Sequence, residues 1–318
     1  MTVGIIGHYK CGEHNMGEHH PENGKRLSAI SDQLIRSGLD YVVRQFDAKP
    51  IDKSLLSLAH SQEYINFVFD NAPTTDSETF TVGEDALMNS KTLSATLLSA
   101  GAVIDAVDLV MDKTLSSAFC ATRPPGHHAE HNKGMGFCFF NNIAIAAAYA
   151  RQKYQLKRVA IVDFDVHHGN GTEDIIRNFF PTIDDNTHEA YLFCSSYQYP
   201  FYPFNITQSN EPPIINTPLA ATAKGEDFRK VVTEHWLPAL KQFKPEMIFI
   251  SAGFDAHLED DMSQVSLTES DYRWVTNELK IIANDYAQGR IVSTLEGGYH
   301  LGALGRSVVA HINGLIGH

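Results

Sequence analysis

Cysteine is scarce in this chain. Cys11, Cys120, Cys138 and Cys194 are spread over 318 residues, and none forms a Cys-x-x-Cys pair. That spacing offers no disulfide framework. Cys120, Cys138 and Cys194 sit in apolar surroundings, where a small buried thiol is expected. A reducing compartment fits. Positive charge is short as well: 25 Lys and Arg stand against 38 Asp and Glu, a net charge of −13 with no basic run. A nucleic-acid backbone would be repelled, so no nucleic-acid partner is expected. The same balance suits cationic substrates, and also plain solubility. No apolar run approaches the ~20 residues that cross a bilayer. The N-terminal MTVGIIGHYK is apolar only briefly and carries no cleavage signal. Together these absences point away from a membrane and towards a cytoplasmic protein. No internal repeat and no composition break divides the chain, so residues 1–318 read as one domain. Nothing in the sequence sets the oligomeric state.

What is present is ample apolar material, 43% of residues, enough for one large core. Short apolar runs alternate with helical periodicity throughout. Strands are predicted at Val3–Ile6, Ser117–Ala121, Arg158–Phe164, Ala190–Cys194, Met247–Ser251 and Arg290–Leu295. Helices are predicted at Lys25–Arg36, Lys91–Met111, Asn141–Lys153, Glu226–Phe243, Thr268–Tyr286 and Leu301–Ile316. Continuous apolar strands belong in a sheet covered on both faces. Their alternation with helices predicts an α/β fold with a mostly parallel central sheet flanked by helices. Tyr197–Ala223, rich in Pro, Asn, Thr and aromatics, reads as a long ordered loop. Pro181–Glu189 reads as a polar insertion before a strand.

Reactive side chains gather just after the strands, where open α/β sheets bind ligands. Asp165 and His167 are two residues apart, so on extended chain they face the same side. A carboxylate and an imidazole so placed can share one metal ion, and Asp255 can supply a third ligand. Three such ligands leave positions open, as a catalytic zinc requires. The adjacent pair His127-His128 follows a rigid Pro-Pro-Gly turn and suits general acid–base work. Each imidazole needs an orienting partner, and Asp163 and Asn170 are the candidates. Tyr299 lies beyond Gly297-Gly298 and can donate to a developing oxyanion. Each of these residues also has a plainer reading as surface loop or core, and the co-occurrence at several strand ends argues against it.

Five ordered stretches resemble the histone deacetylase family, in particular its class II type and bacterial relatives. They are RPPGHHA around His127-His128, GMGFCFFNN at Gly134–Asn142, DFDVHHGNGT at Asp163–Thr172, SAGFDA at Ser251–Ala256 and EGGY at Glu296–Tyr299. The resemblance implies the single-domain arginase/deacetylase-like fold and zinc-dependent hydrolysis of N-acyl-lysine in proteins or peptides. It assigns Asp165, His167 and Asp255 as zinc ligands, and His127 and His128 as the catalytic pair. Asp163 would support His127, Asn170 would support His128, and Tyr299 would bind the oxyanion. Gly136, Phe137 and Tyr202 would line an acyl-lysine channel with Met262 near its mouth, and Asp85 is a weaker match to a substrate-backbone contact. His20-Pro21-Glu22 with Arg26 resembles the family's first loop. A structural potassium ion would use Asp163, Asp165, His167 and Ser195.

The chain departs from the family pattern at Tyr197, where many relatives carry histidine, and at Glu259-Asp260-Asp261, which stands where Gly-Asp-Pro is usual. Those three carboxylates are expected at the channel mouth, drawing in cationic substrate. The alternative readings are an acetylpolyamine amidohydrolase, a ureohydrolase with two manganese ions (whose bridging aspartates the DVHHG stretch lacks), and a non-catalytic acyl-lysine binder.

Overall fold

The computed structural model describes residues 2–183, 187–204, 206 and 209–317. Its strands are β1 (Val3–Gly7), β2 (Arg44–Asp47), β3 (Phe80–Val82), β4 (Ala86–Met88), β5 (Ser117–Cys120), β6 (Val159–Asp163), β7 (Tyr191–Gln198), β8 (Asn210–Glu211), β9 (Ile214–Leu219), β10 (Met247–Ala252) and β11 (Ile291–Leu295). Nine of them form one sheet in the order β2-β1-β5-β11-β10-β6-β7-β9-β8. Every pairing in it is parallel except the edge pair β8–β9. β3 and β4 make a separate antiparallel hairpin.

Period-two geometry gives the sheet two apolar faces. Val159 and Ile161 enter one core with the helices Thr92–Met111 and Asn142–Tyr154. Ala160 and Val162 enter the other with Lys25–Ser37, Glu269–Tyr286 and Leu301–Ile316. Burial on both sides is why these strands are apolar without alternation. The helix Glu269–Tyr286 starts where its sequence dictates. Thr268 caps it, and the Asp271 carboxylate returns to the Thr268 N–H.

Two expectations are corrected, and a third is filled in. Tyr197–Ala223 is not one loop, because β7 extends to Gln198 and β9 pairs along it from Phe193↔Ile214 to Gln198↔Leu219. The helix Thr92–Met111 is, by length and composition, apolar enough to cross a membrane. Two thirds of it is buried inside the protein, the position of a core helix. Within the segment Pro181–Glu189, short helical turns at Phe180–Ile183 and Thr187–Ala190 lead into β7, and 184–186 lie outside the described residues.

Candidate active site

Parallel pairing sends the carboxyl ends of β5, β11, β10 and β6 to one edge of the sheet, side by side. After β5 comes Arg123–His128, after β11 Glu296–Tyr299, after β10 Asp255, and after β6 Asp165 and His167. Four loops thus deliver their polar groups to one place.

Asp165, His167 and Asp255 are buried and offer one ligand atom each within 4.8 Å of one another. His167 Nδ1 lies 3.1 Å from Asp165 Oδ1 and 3.1 Å from Asp255 Oδ2. Backbone N–H groups hold both carboxylates: Gly297 donates to Asp165 Oδ2 at 2.8 Å and Val166 to Asp255 Oδ1 at 2.9 Å. Gly297 is required by this approach, since a Cβ there would collide with the carboxylates of Asp255 and Asp165. Burial, then the neighbouring Asp165, pushes Asp255 up to about 6. Burial opposes charge on His167, yet Asp165 and Asp255 outweigh it and raise the imidazole to about 10. Among the described residues, the ion pairs of Asp163, Asp165 and Asp255 are made with imidazoles. A mixed N/O donor set held this tightly, with no Lys or Arg partner in those pairs, fits a divalent cation such as zinc.

His127 and His128 face this group. His127 Nδ1 lies 2.9 Å from Asp163 Oδ2, and its Nε2 lies 3.9 Å from Asp165 Oδ2. His128 Nδ1 lies 2.7 Å from Asn170 Oδ1, and its ring is 6.0 Å from that of His167. The structure thus brings Asp163 to His127 and Asn170 to His128. The two rings, 4.0 Å apart, are driven in opposite directions. Burial disfavours a charged His127, but Asp163, Asp165 and Glu296 prevail and push it up to about 10. Burial, with His127 and His167 beside it, drives His128 well below the usual imidazole range.

Glu296, quoted above only as part of a motif, ties its own loop to the loop after β5 and to the end of β10. Its Oε2 accepts from the N–H groups of Gly126 and His127 at 2.7 and 3.1 Å, and its Oε1 accepts from Ser251 Oγ at 3.1 Å. Burial raises it to about 7. Sequence reasoning also missed Phe201, stacked on His167 with centroids 5.4 Å apart, and Glu130, which contacts Asn170. Phe201 adjoins Tyr202 and Glu130 follows the histidine pair by two, so proximity in sequence was the available signal.

The expected channel residues lie around the same site. Tyr202 stands edge-on to His128 at 5.2 Å. Phe137 adopts φ +67° and meets the Tyr299 ring at 6.3 Å. Gly136, at φ +56°, passes so close that a Cβ would strike the His128 ring. Asp85 accepts from Gly136 N at 2.8 Å and from Tyr202 Oη at 3.3 Å, so it fixes the channel wall. Burial keeps the Tyr299 phenol well above its ordinary pKa, as a hydrogen-bond donor requires.

The acidic triplet is not one patch. Asp260 is buried, accepting from Tyr299 N and His300 N at 2.6 and 2.9 Å and from Met262 N at 3.1 Å. Glu259 pairs with Arg306 at 2.6 Å. Of the three, only Asp261 is both exposed and without such a partner among the described residues. The expected patch of three carboxylates at the channel mouth is therefore corrected: Asp260 turns inward and holds the tyrosine loop and the Met262 loop together.

Ser195 pairs with Asp163 across β7 and β6. Its buried hydroxyl has no hydrogen-bond partner among the described residues. A second charge cluster lies behind the tyrosine loop. Glu22 is clasped by Arg123 and by Arg26 Nη1 at 3.1 Å, with His14 Nε2 at 3.4 Å. Arg26 Nε also donates to Gly298 O at 2.7 Å, and its guanidinium sits 4.9 Å from the Tyr299 ring centre.

The carboxyl edge of this parallel α/β sheet carries a buried Asp-His-Asp group that could hold a metal ion, beside an anchored histidine pair and a tyrosine. The histone deacetylase domain family matches residues 20–315, and the chain belongs to that family of deacetylase hydrolases. It is 34% identical over 96% of its length to a probable deacetylase of Archaeoglobus fulgidus, covering 83% of that protein. It is 32% identical over 93% of its length to the human polyamine deacetylase HDAC10, covering 44% of that protein. The crystal structure of the HDA15 HD domain superposes with a TM-score of 0.88 at 29% identity, over 100% of this chain and 90% of that one. The fold is therefore the arginase-like deacetylase fold expected from the sequence.

Proposed function

We propose that the chain is a zinc-dependent N-acyl-lysine deacylase acting on proteins or peptides. One observation carries the reading: two imidazoles, each anchored through Nδ1, face the buried Asp165-His167-Asp255 group. Zinc held by those three residues would supply Lewis-acid polarisation of the amide carbonyl and acidify water. The chain's own groups do the rest. Asp163 and Asn170 hold the Nδ1 sides of His127 and His128, leaving the Nε2 sides for the reaction. His128, or the pair together, takes the proton of the attacking water. Tyr299 donates to the oxyanion. The imidazolium then protonates the leaving amine, giving a free amine and a carboxylate. Phe137, Tyr202 and Gly136 exclude water along the acyl-lysine channel. Potassium, held by backbone oxygens of Asp163, Asp165 and His167 with Ser195, would stiffen the base of the site, and the unpartnered Ser195 hydroxyl supports this.

Acetylpolyamine hydrolysis is the second reading, favoured by the likeness to the polyamine deacetylase. The apolar Met262 at the expected mouth favours acyl-lysine. A non-catalytic binder would lack a ligand or the tyrosine, and all four residues are present. Four buried free thiols support a reducing, cytoplasmic location. The test is a panel of acyl-lysine peptides beside acetylated polyamines, assayed with the zinc-loaded chain. Higher kcat/KM on an acyl-lysine peptide is expected. Turnover confined to polyamines would replace that substrate, and no amide turnover at all would reject the reading.

A further inference from the structure

Asn170 can orient His128 only if its amide faces the right way. An amide presents an acceptor at one end and donors at the other, and the two ends have nearly the same shape. Oδ1 facing His128 requires the imidazole proton on Nδ1 and leaves Nε2 a free lone pair. A flipped amide would reverse both, and His128 could no longer accept a proton at Nε2.

Among the described residues, Asn170 Nδ2 faces three acceptors. Glu130 Oε1 lies at 2.8 Å, Met135 Sδ at 3.3 Å and the His128 carbonyl at 3.5 Å. The carboxylate is the shortest and the only charge-assisted contact of the three. Glu130 is half-buried and lies two residues after His128, within a tight turn in which its backbone pairs with Lys133. It touches neither the metal-binding group nor the channel aromatics through any described hydrogen bond.

We propose that Glu130 is a positioning residue that locks the Asn170 amide and thereby sets the tautomer of His128. The inference rests on the reading of His128 as the base. A carboxylate only accepts, so Asn170 Nδ2 must turn towards it and Oδ1 towards the imidazole. The chain of contacts runs Glu130 Oε1 to Asn170 to His128 Nδ1 and ends with Nε2 directed at the reaction.

The test uses the zinc-loaded full chain with 15N-labelled histidine, and the variants Glu130→Gln, Glu130→Asp, Asn170→Asp and the double variant Glu130→Gln/Asn170→Asp. Glutamine can present either end, so Glu130→Gln should give an Nε2-protonated fraction of His128 in the nitrogen spectrum. It should lower kcat roughly tenfold with KM within about twofold. Glu130→Asp, still acceptor-only, should recover much of the loss. The carboxylate introduced by Asn170→Asp offers an acceptor in either orientation, so adding Glu130→Gln to it should not shift the His128 tautomer further and should not lower kcat, since glutamine relieves the repulsion between the two carboxylates. An unchanged tautomer in Glu130→Gln, or an equal loss whether Glu130→Gln is made alone or on top of Asn170→Asp, overturns the inference. A shifted tautomer with unchanged kcat leaves the inference standing and rejects His128 as the base.

Discussion

Two buried clusters of charge lie on opposite sides of the tyrosine loop, and they solve burial differently. Behind the loop, the single carboxylate of Glu22 is held between two guanidiniums, those of Arg26 and Arg123. In front of it, Asp165 and Asp255 are pressed together with only imidazoles as ion-pair partners among the described residues. Gly297 and Gly298 join the two, one donating to Asp165 and the other accepting from Arg26. Uncompensated charge in low dielectric is costly. On the proposed function, the closed cluster is architecture and the open acidic one is where a cation would sit. Removing a residue from the first should therefore cost stability, and from the second, activity.

The largest expected effect separates them. Asp255→Asn should reduce kcat/KM at least about 10³-fold, since Lewis-acid stabilisation is worth several kcal/mol. Its unfolding midpoint in the absence of metal should not fall, because one of two crowded carboxylates is relieved. Steady-state kinetics beside urea unfolding decides this, and a severe loss of metal-free stability would erase the distinction. Next, Glu22→Gln leaves two guanidiniums without their carboxylate and should cost ~3–5 kcal/mol of stability. A soluble variant with an unchanged unfolding midpoint would show that the rear cluster is not architectural.

Much of this was legible beforehand, and the failures have causes. β5, β6, β10 and β11 are buried on both faces, so they announce themselves as apolar runs, and the reactive residues follow them directly. β2 (Arg44–Asp47) is an edge strand with exposed residues and gives no such signal. β9 hides behind Pro212-Pro213 and contains Pro218, which an outer strand tolerates. The acidic triplet misled because charge is visible in sequence while direction is not. Asp260 turns inward to three backbone N–H groups, and Glu259 turns to Arg306. Glu130 escaped for the same reason.

Smaller effects sharpen the contrast. Tyr299→Phe removes one donor from the open side and should lower kcat about 10²-fold with little change in KM. Near-normal kcat on an unactivated acyl-lysine peptide would reject the oxyanion role. The finest cut is pH. His311, buried and bonded to Thr276 Oγ1 and Ser293 Oγ, is held down to about 3 by burial. The unfolded chain binds that proton near pH 6.5 and the folded one does not until about 3. Its contribution is thus complete above pH 6.5 and is lost as pH falls towards 3, at ~1.4 kcal/mol per unit. His311→Gln should narrow the stability gap to wild type by about 2 kcal/mol between pH 6.5 and 5. A gap that stays constant would mean that His311 is not neutral in the folded chain.

The most direct measurement of the central claim is metal stoichiometry with reconstitution. The chain is stripped with chelator and titrated with zinc, and bound metal and amide hydrolysis are read in parallel. Activity should rise linearly to a break at about one equivalent, and Asp165→Asn, His167→Ala and Asp255→Asn should each abolish the break while the fold persists. Full activity in the stripped protein, or an unaltered break in those variants, would contradict it.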